Sequence, residues 1–374
     1  MTTDTLLIEK REDLKRRLAA GEYKTLVDVF LEWFERLLRK ITRRSKPLPM
    51  WLITITLSLS LTLVIFAIVY IAGDTAILLI LTKASGGLGI LTLFSESVIA
   101  IAIAIAMNQY IRKIFALWRD EALDATESMA SLDDFEDWLK KACNWRLHLL
   151  VTIIAVIILT PIGISLIKTQ WGISVGYGSI LSLFIFSMFL YALIYLFLMT
   201  ILLSARLRRY ELKLFAADPS SSKLISRLSS ELGQVIYIVA VYAIIGLISI
   251  GFVFGVVDLY VVIAQLLLGW LPIIALFILI QTSLSSIIRR AKWKTLNEIQ
   301  SQVEELRATN NLKDKETMEA INRLMDFHDR VKATRNSAID SRTILNFINS
   351  LLLPLLAFLL GNLDKVLLLF AKKP

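Results

Sequence analysis

The chain has 374 residues, 56% of them hydrophobic, with 41 Lys and Arg against 32 Asp and Glu for a net charge of +9. Its mean hydropathy is +0.66. The apolar residues fall in continuous blocks long enough to cross a ~30 Å hydrocarbon core, which excludes a soluble globular domain and a transmembrane barrel built from short alternating strands.

Residues 1–48 are polar and basic, and the first 20 lack the apolar stretch of a signal peptide, so the first span is expected to act as the insertion signal. Within this arm Leu26, Phe30, Phe34, Leu37 and Ile41 recur at helical spacing, and Trp33 and Leu38 widen the stripe. Arg36, Arg39, Lys40, Arg43 and Arg44 hold the other face. A basic amphipathic helix beside a span predicts one lying in the membrane interface, or one packed on the protein's own polar face. Pro47 and Pro49 then interrupt the chain.

Span 1 is expected over residues 50–72, ended by Gly73 and Asp74. Residues 75–95 consist of two short apolar pieces around Ser85-Gly86-Gly87, either an outer loop, an extension of span 1 or a re-entrant segment. Span 2 runs through 100–107 and ends near Arg112 and Lys113. Span 3 covers 149–167 with Pro161 as a kink, span 4 covers 180–204, span 5 covers 235–257 and span 6 covers 259–287. In residues 289–342, Leu296, Ile299, Val303 and Leu306 form one apolar seam, and Ile321, Leu324, His328 and Val331 form another. The polar run from Thr309 to Asp314 separates them, which predicts a coiled-coil-like antiparallel helical hairpin with its tip near Asn311. Residues 343–374 are apolar again, with Asn346, Asn349 and Pro354 favouring a membrane-embedded segment that does not cross over a seventh span.

Basic residues crowd the N-terminal arm, 112–146, 206–227 and 289–342, while the intervening loops hold only Lys83 and Lys168. With six spans all four regions fall on one side, and the positive-inside rule makes it the cytoplasm. Trp51, Trp118, Trp145 and Trp293 near that boundary and Trp171 near the other resemble an aromatic belt. The expected fold is therefore all-α: a polytopic transmembrane helical bundle of about six spans at 49–288, with a basic N-terminal helix and a cytoplasmic antiparallel helical hairpin. The expected location is a cell membrane, with the N-terminus inside.

Little in the sequence supports catalysis. There is no His-Glu-x-x-His motif and no phosphate loop, and the two histidines, His148 and His328, stand apart from any nucleophile. Cys143 is the single cysteine, which rules out an intramolecular disulfide and a cysteine metal cluster. No cofactor, catalytic residue or metal ligand is expected. The acidic residues of 120–137 are expected to be a solvated helix surface, or a counterpart to the basic arm or hairpin. The run Val175-Gly176-Tyr177-Gly178 resembles the filter motif of potassium channels. Such a filter follows a pore helix of about a dozen residues, for which span 3 leaves no room, so a glycine-containing loop is expected.

Glu96 is the one carboxylate expected inside a span; it either starts a helix after Ser95, complementing the dipole, pairs with Lys83, or faces a pore. Asn108, Gln109, Gln265 and Gln281 are the other polar candidates for a shared water-filled face, and Gly246, Gly251 and Gly255 the candidates for close helix packing. Two functions fit this pattern. The first is an oligomeric channel, pore or transport-type protein assembled from copies of the chain. The second is a membrane-anchored sensor or scaffold whose hairpin and basic arm bind a cytoplasmic protein. The expected partners are anionic lipid at the basic face, further copies and a protein; the basic excess flanks spans, so nucleic acid is not expected. The orientation is checked by single-cysteine labelling in intact cells with Cys143 replaced by serine. Position 310 should stay silent to an impermeant outside reagent, and labelling there refutes the topology.

Overall fold

The computed structural model describes residues 3–43, 46–72, 87–171, 176–254, 269–309 and 314–337, with single positions at 345 and 349. Among these the regular elements are helices: α1 (Thr3–Ala19), α2 (Leu26–Thr42), α3 (Met50–Ile71), α4 (Gly87–Leu117), α5 (Met129–Ala142), α6 (Trp145–Trp171), α7 (Tyr177–Leu207), α8 (Lys223–Phe254), α9 (Leu271–Thr309) and α10 (Lys315–Ala333).

Five are long and apolar enough to cross a membrane: α3, α4 from Ser97, α7, α8 and α9. The helix α6 has 27 residues, and Trp145–Ile158 forms a shorter apolar stretch within it. Pro49 caps the start of α3, where its missing N–H costs no hydrogen bond. At the centre stands α4, packed on α8, α7 and α3. Its run of alternating Ile and Ala from Ile99 to Ala106 puts small side chains on several faces, so neighbours can approach from more than one side. Ile101, Ala104, Ile105, Met107, Ile111 and Ile114 are all buried there.

The pair α3 and α7 meets still more closely. Ser182 Oγ donates to Ile65 O at 3.1 Å. A Cβ added at Gly178 would lie 2.4 Å from Ala72 Cβ, so glycine is required at that contact. The channel-like run is thus the start of a helix: Gly176 is the N-cap of α7, Tyr177 is its exposed first residue and Gly178 packs on α3. Val175 lies outside the described residues.

Several boundaries differ from expectation. Span 2 begins earlier, because α4 runs unbroken from Gly87 and includes the second apolar piece of the 75–95 stretch; residues 73–86 lie outside the described set. Past Lys113, α4 continues to Leu117 and then widens into a π-turn, Trp118–Ala122. Trp118 is a correction to the aromatic belt. Trp51, Trp145 and Trp293 are exposed, whereas Trp118 is fully buried. It stacks on Phe135 at 3.9 Å and meets the edge of Tyr210 at 5.5 Å. Trp138 completes this aromatic core by donating its Nε1–H to Met199 O at 2.9 Å.

The acidic stretch 120–137 surrounds that core and is the meeting point of the chain. Its carboxylates take cations from four other helices. From α1, Lys10 pairs with Asp133, Lys15 Nζ lies 2.5 Å from Asp124, and Arg17 Nη1 lies 3.0 Å from Glu136. Arg206 of α7 sits 3.1 Å from Asp134, Arg227 of α8 pairs with Glu121, and Lys294 of α9 sits 2.6 Å from Glu127. The four basic regions of the sequence therefore meet at one end of the bundle.

Beyond the bundle, α9 continues without a break. Its 39 residues would extend about 58 Å at 1.5 Å per residue, roughly twice a hydrocarbon core. The helix α10 lies along its far half, with Leu296 and Ile299 buried against Val331, Leu324 and Phe327. The second seam therefore uses Phe327 where the spacing suggested His328, which is part-exposed beside Asp329. Asp314 caps the start of α10 by accepting from Thr317 N. At its other end the buried ammonium of Lys292 donates to Lys332 O at 2.8 Å, Thr334 O at 2.7 Å and Asn336 Oδ1 at 2.9 Å. These are the orphan carbonyls of a helix C-terminus, satisfied by a cation. The turn expected at Asn311, and residues 338–344, lie outside the described residues.

Hydrogen bonds from Lys140 first, then Arg17 and Lys10, hold the Glu136 carboxyl down to about 2 from an ordinary 4.5. A lowered carboxylate contributes stability above its unfolded value and loses it as pH falls through the folded one. The docking of α1 should therefore weaken between pH about 4.5 and about 2. Amide hydrogen exchange in residues 3–19 should accelerate across that window before exchange in α8 does; unchanged protection of α1 would show that the ion pairs do not hold it.

Candidate functional site: an amphipathic helix pinned over an apolar cavity

The helix α2 begins with a capping box. Thr25 Oγ1 accepts from Asp28 N at 3.1 Å, and Asp28 Oδ2 accepts from Thr25 N at 3.0 Å. Both residues are buried, and both reach beyond their own helix. The Thr25 hydroxyl donates to Asn108 Oδ1 at 2.6 Å, and Asn108 Nδ2 donates to Asp28 Oδ1 at 2.5 Å. Arg112, one turn further along α4, donates its Nε–H to the same Asp28 oxygen at 2.6 Å. A buried carboxylate without partners would be costly; here two charge-assisted or amide donors and a backbone N–H satisfy it. The result is a polar pin that fixes the start of α2 against the middle of α4.

Pinned in this way, α2 divides its apolar stripe. Val27, Leu31 and Phe34 are buried in the protein, with Phe30 and Leu38 packed beside them. Trp33, Leu37 and Ile41 are exposed at 56%, 39% and 68%. The helix thus packs on the protein through its first half, as one of the two expectations had it, while its second half presents apolar side chains outward beside Arg36 and Lys40.

Beneath the packed half lies a cavity of about 370 Å³. Leu26 and Phe30 of α2, Leu57 and Leu61 of α3, and Phe184 and Met188 of α7 supply most of its walls, and every lining residue is apolar. Phe30 meets Phe189 edge-on at 5.7 Å and closes one side. Cys143, buried at the C-cap of α5, carries a thiol that burial pushes up, with the nearby Asp28 carboxylate adding to the effect. It is held protonated and is a poor nucleophile.

The sequence-derived candidates separate. Asn108 belongs to the pin. Gln109, its neighbour on α4, is half-buried. Glu96 lies within α4, but its side chain is outside the described set, as is all of Gln265. Gln281 is buried in α9, and its Oε1 has no hydrogen-bond partner among the described residues. Gly246 and Gly251 lie in α8, while Gly255 falls outside. Among the described residues no group of three His, Cys, Asp or Glu side chains is arranged to hold a metal. Sequence reasoning missed Thr25, Asp28 and Arg112. The signal was present: Thr-x-x-Asp ahead of an apolar run marks a capped helix start, and Asp28 interrupts the buried stripe between Val27 and Leu31.

No protein-family model, curated protein or solved structure matches this chain. Fold and site define only a class: an all-α protein with five helices fit to cross a membrane and a polar pin that joins an amphipathic helix to them. Asn108→Ala removes the amide that bridges Thr25 and Asp28. Leaving such groups underbonded costs about 1–3 kcal/mol, so hydrogen exchange through residues 26–42 should rise roughly tenfold per 1.4 kcal/mol while α8 is unaffected. Exchange in α2 equal to that of the unaltered protein would mean that the pin does not hold the helix.

Proposed function

We propose that the protein is a multi-pass membrane platform that presents α10 to a cytoplasmic protein partner. The observation that carries this reading is the continuity of α9, one helix that begins among the membrane helices and ends beside α10. Lys292 clamps α10 onto it, and the outward face of α10 leaves Met318 and Met325 exposed at 42% and 37%. Methionine side chains on an exposed helix adapt to a partner's shape. In this reading the chain crosses six times: α6 is the remaining crossing, since its 27 residues extend about 40 Å. The N-terminal arm, the acidic stretch and the α9–α10 hairpin then share the cytoplasmic side, by the excess of Lys and Arg there.

A second reading, an oligomeric pore, draws on Gln281, a buried amide on a helix fit to cross a membrane, whose Oε1 has no partner among the described residues. An assembly of copies could supply water or a neighbour to it, and Gln109 is a further polar residue, half-buried on α4, for this reading. Asn108 is already engaged with Thr25 and Asp28.

One pair of measurements separates the readings. With Cys143 replaced by serine, a bifunctional cross-linker at Met318→Cys should give an adduct of discrete mass in intact cells, and Met325→Glu should abolish it without changing thermal unfolding. Adducts no stronger than those at exposed Met50→Cys refute the platform. Reconstitution in planar bilayers should show no conductance; a conductance that responds to Glu96→Gln establishes the pore instead.

A further inference from the structure

The cavity under α2 has three properties that together specify an occupant. The first is chemistry. Every wall residue is apolar, so no lining side chain is available to give a water the two to four hydrogen bonds it needs. The second is size. At about 370 Å³ it lies within the range of small-molecule sites, roughly 300–1,000 Å³, and is far larger than a packing defect. It is open on one side, so a ligand can enter it from outside the bundle. The third is position. The walls come from α3, α4, α6 and α7, while the cover is the first half of α2, which leads directly into a basic, amphipathic second half.

That second half bears on the charge of the occupant. Arg36 and Arg39 are matched within the helix by Glu32 and Glu35. Lys40 and Arg43, one turn further on, are exposed, beside exposed Leu37 and Ile41. Apolar side chains alternating with cations are complementary to the boundary between acyl chains and anionic headgroups.

We propose that this cavity is a lipid site, in which one acyl chain of an anionic membrane phospholipid lies between Leu57, Leu61, Phe184 and Met188 under the cover of Phe30, with its headgroup level with the basic half of α2. The polar pin gives the site its fixed shape. With Asp28 bonded to Asn108 and Arg112, α2 cannot settle into the cavity or lift away without breaking buried hydrogen bonds, so the volume is kept open for a ligand. The lipid would act as a structural part of the bundle. It links α2 to α3 and α7 through a contact that the protein alone leaves unfilled.

The test uses the full chain, purified in mild detergent from nanodiscs of phosphatidylglycerol, of phosphatidylcholine, or of phosphatidylcholine with oleic acid. Native mass spectrometry should show one phosphatidylglycerol per chain, retained at detergent levels that strip other lipid. Retention of phosphatidylcholine to the same extent would overturn the anionic assignment, and retention of oleic acid in its place would overturn the phospholipid. Met188→Trp fills the cavity and should remove the adduct at least tenfold. Because that variant can fail to fold, a second measurement uses the unaltered sequence. Phosphatidylglycerol with a diazirine near the end of its acyl chain should cross-link to residues 26–31, 57–61 and 184–192. Cross-links spread instead over the exposed faces at Leu150, Ile154 and Leu198 would place the lipid in the bulk annulus and refute the site.

Discussion

The fold depends on one constraint: its membrane helices are nearly free of charge, so almost all of its ionic interaction is concentrated at one end. There the acidic stretch between α4 and α6 neutralises cations that arrive from α1, α7, α8 and α9. Each pair alone is partly exposed and of modest strength. Their value lies in being shared. The helices α1, α7, α8 and α9 are tied to the same short segment, and the stacked rings of Trp118, Phe135 and Trp138 give that segment a rigid interior. Apolar packing in lipid is weakly directional, because acyl chains are as apolar as leucine. The ionic end therefore fixes which helix ends meet, while the small residues along α4 and the Gly178 contact set how closely the helices lie.

The elements read best from sequence were those with one dominant signal. An uncharged stretch such as 50–71 can hardly be anything other than a membrane helix, and its length follows from the bilayer. Boundaries were read less well. Arg112 and Lys113 looked like the end of a span; the helix α4 itself runs on to Leu117, and Arg112, half exposed, reaches Asp28 with its Nε–H. Trp118 was misjudged for a related reason: a tryptophan near a span end usually marks the interface, and only the distant Phe135 and Tyr210 reveal that it is core. His328 and Phe327 are adjacent, and a 3-4-3 spacing does not choose between them; the pairing with Leu296 and Ile299 does.

The site was harder to read than the fold because it is built from long-range pairs. Asn108 was singled out as a polar residue in a span, but its partners Thr25 and Asp28 lie 83 and 80 positions away. The same holds for the acidic stretch, whose pairing with the basic arm was one of two alternatives until Lys10, Lys15 and Arg17 were placed against it. Sequence periodicity reports which face of a helix is apolar. It does not report the empty volume beneath α2, which arises only when residues from five helices meet.

The continuity of α9 has a mechanical consequence. A helix without a glycine, proline or π-turn past its second residue has no joint, so its two halves move as one rod. When bilayer thickness changes, membrane helices accommodate mainly by tilting. In a rod of this length a small tilt at the buried end becomes a larger sideways displacement along the far half, where α10 lies. The three hydrogen bonds of Lys292 and the seam of Leu296 and Ile299 on Leu324, Phe327 and Val331 join α10 to the rod along its length, so α10 is carried with that motion. The geometry is that of a pointer, whose fulcrum is the ionic end and whose reading is the place of α10 above the membrane.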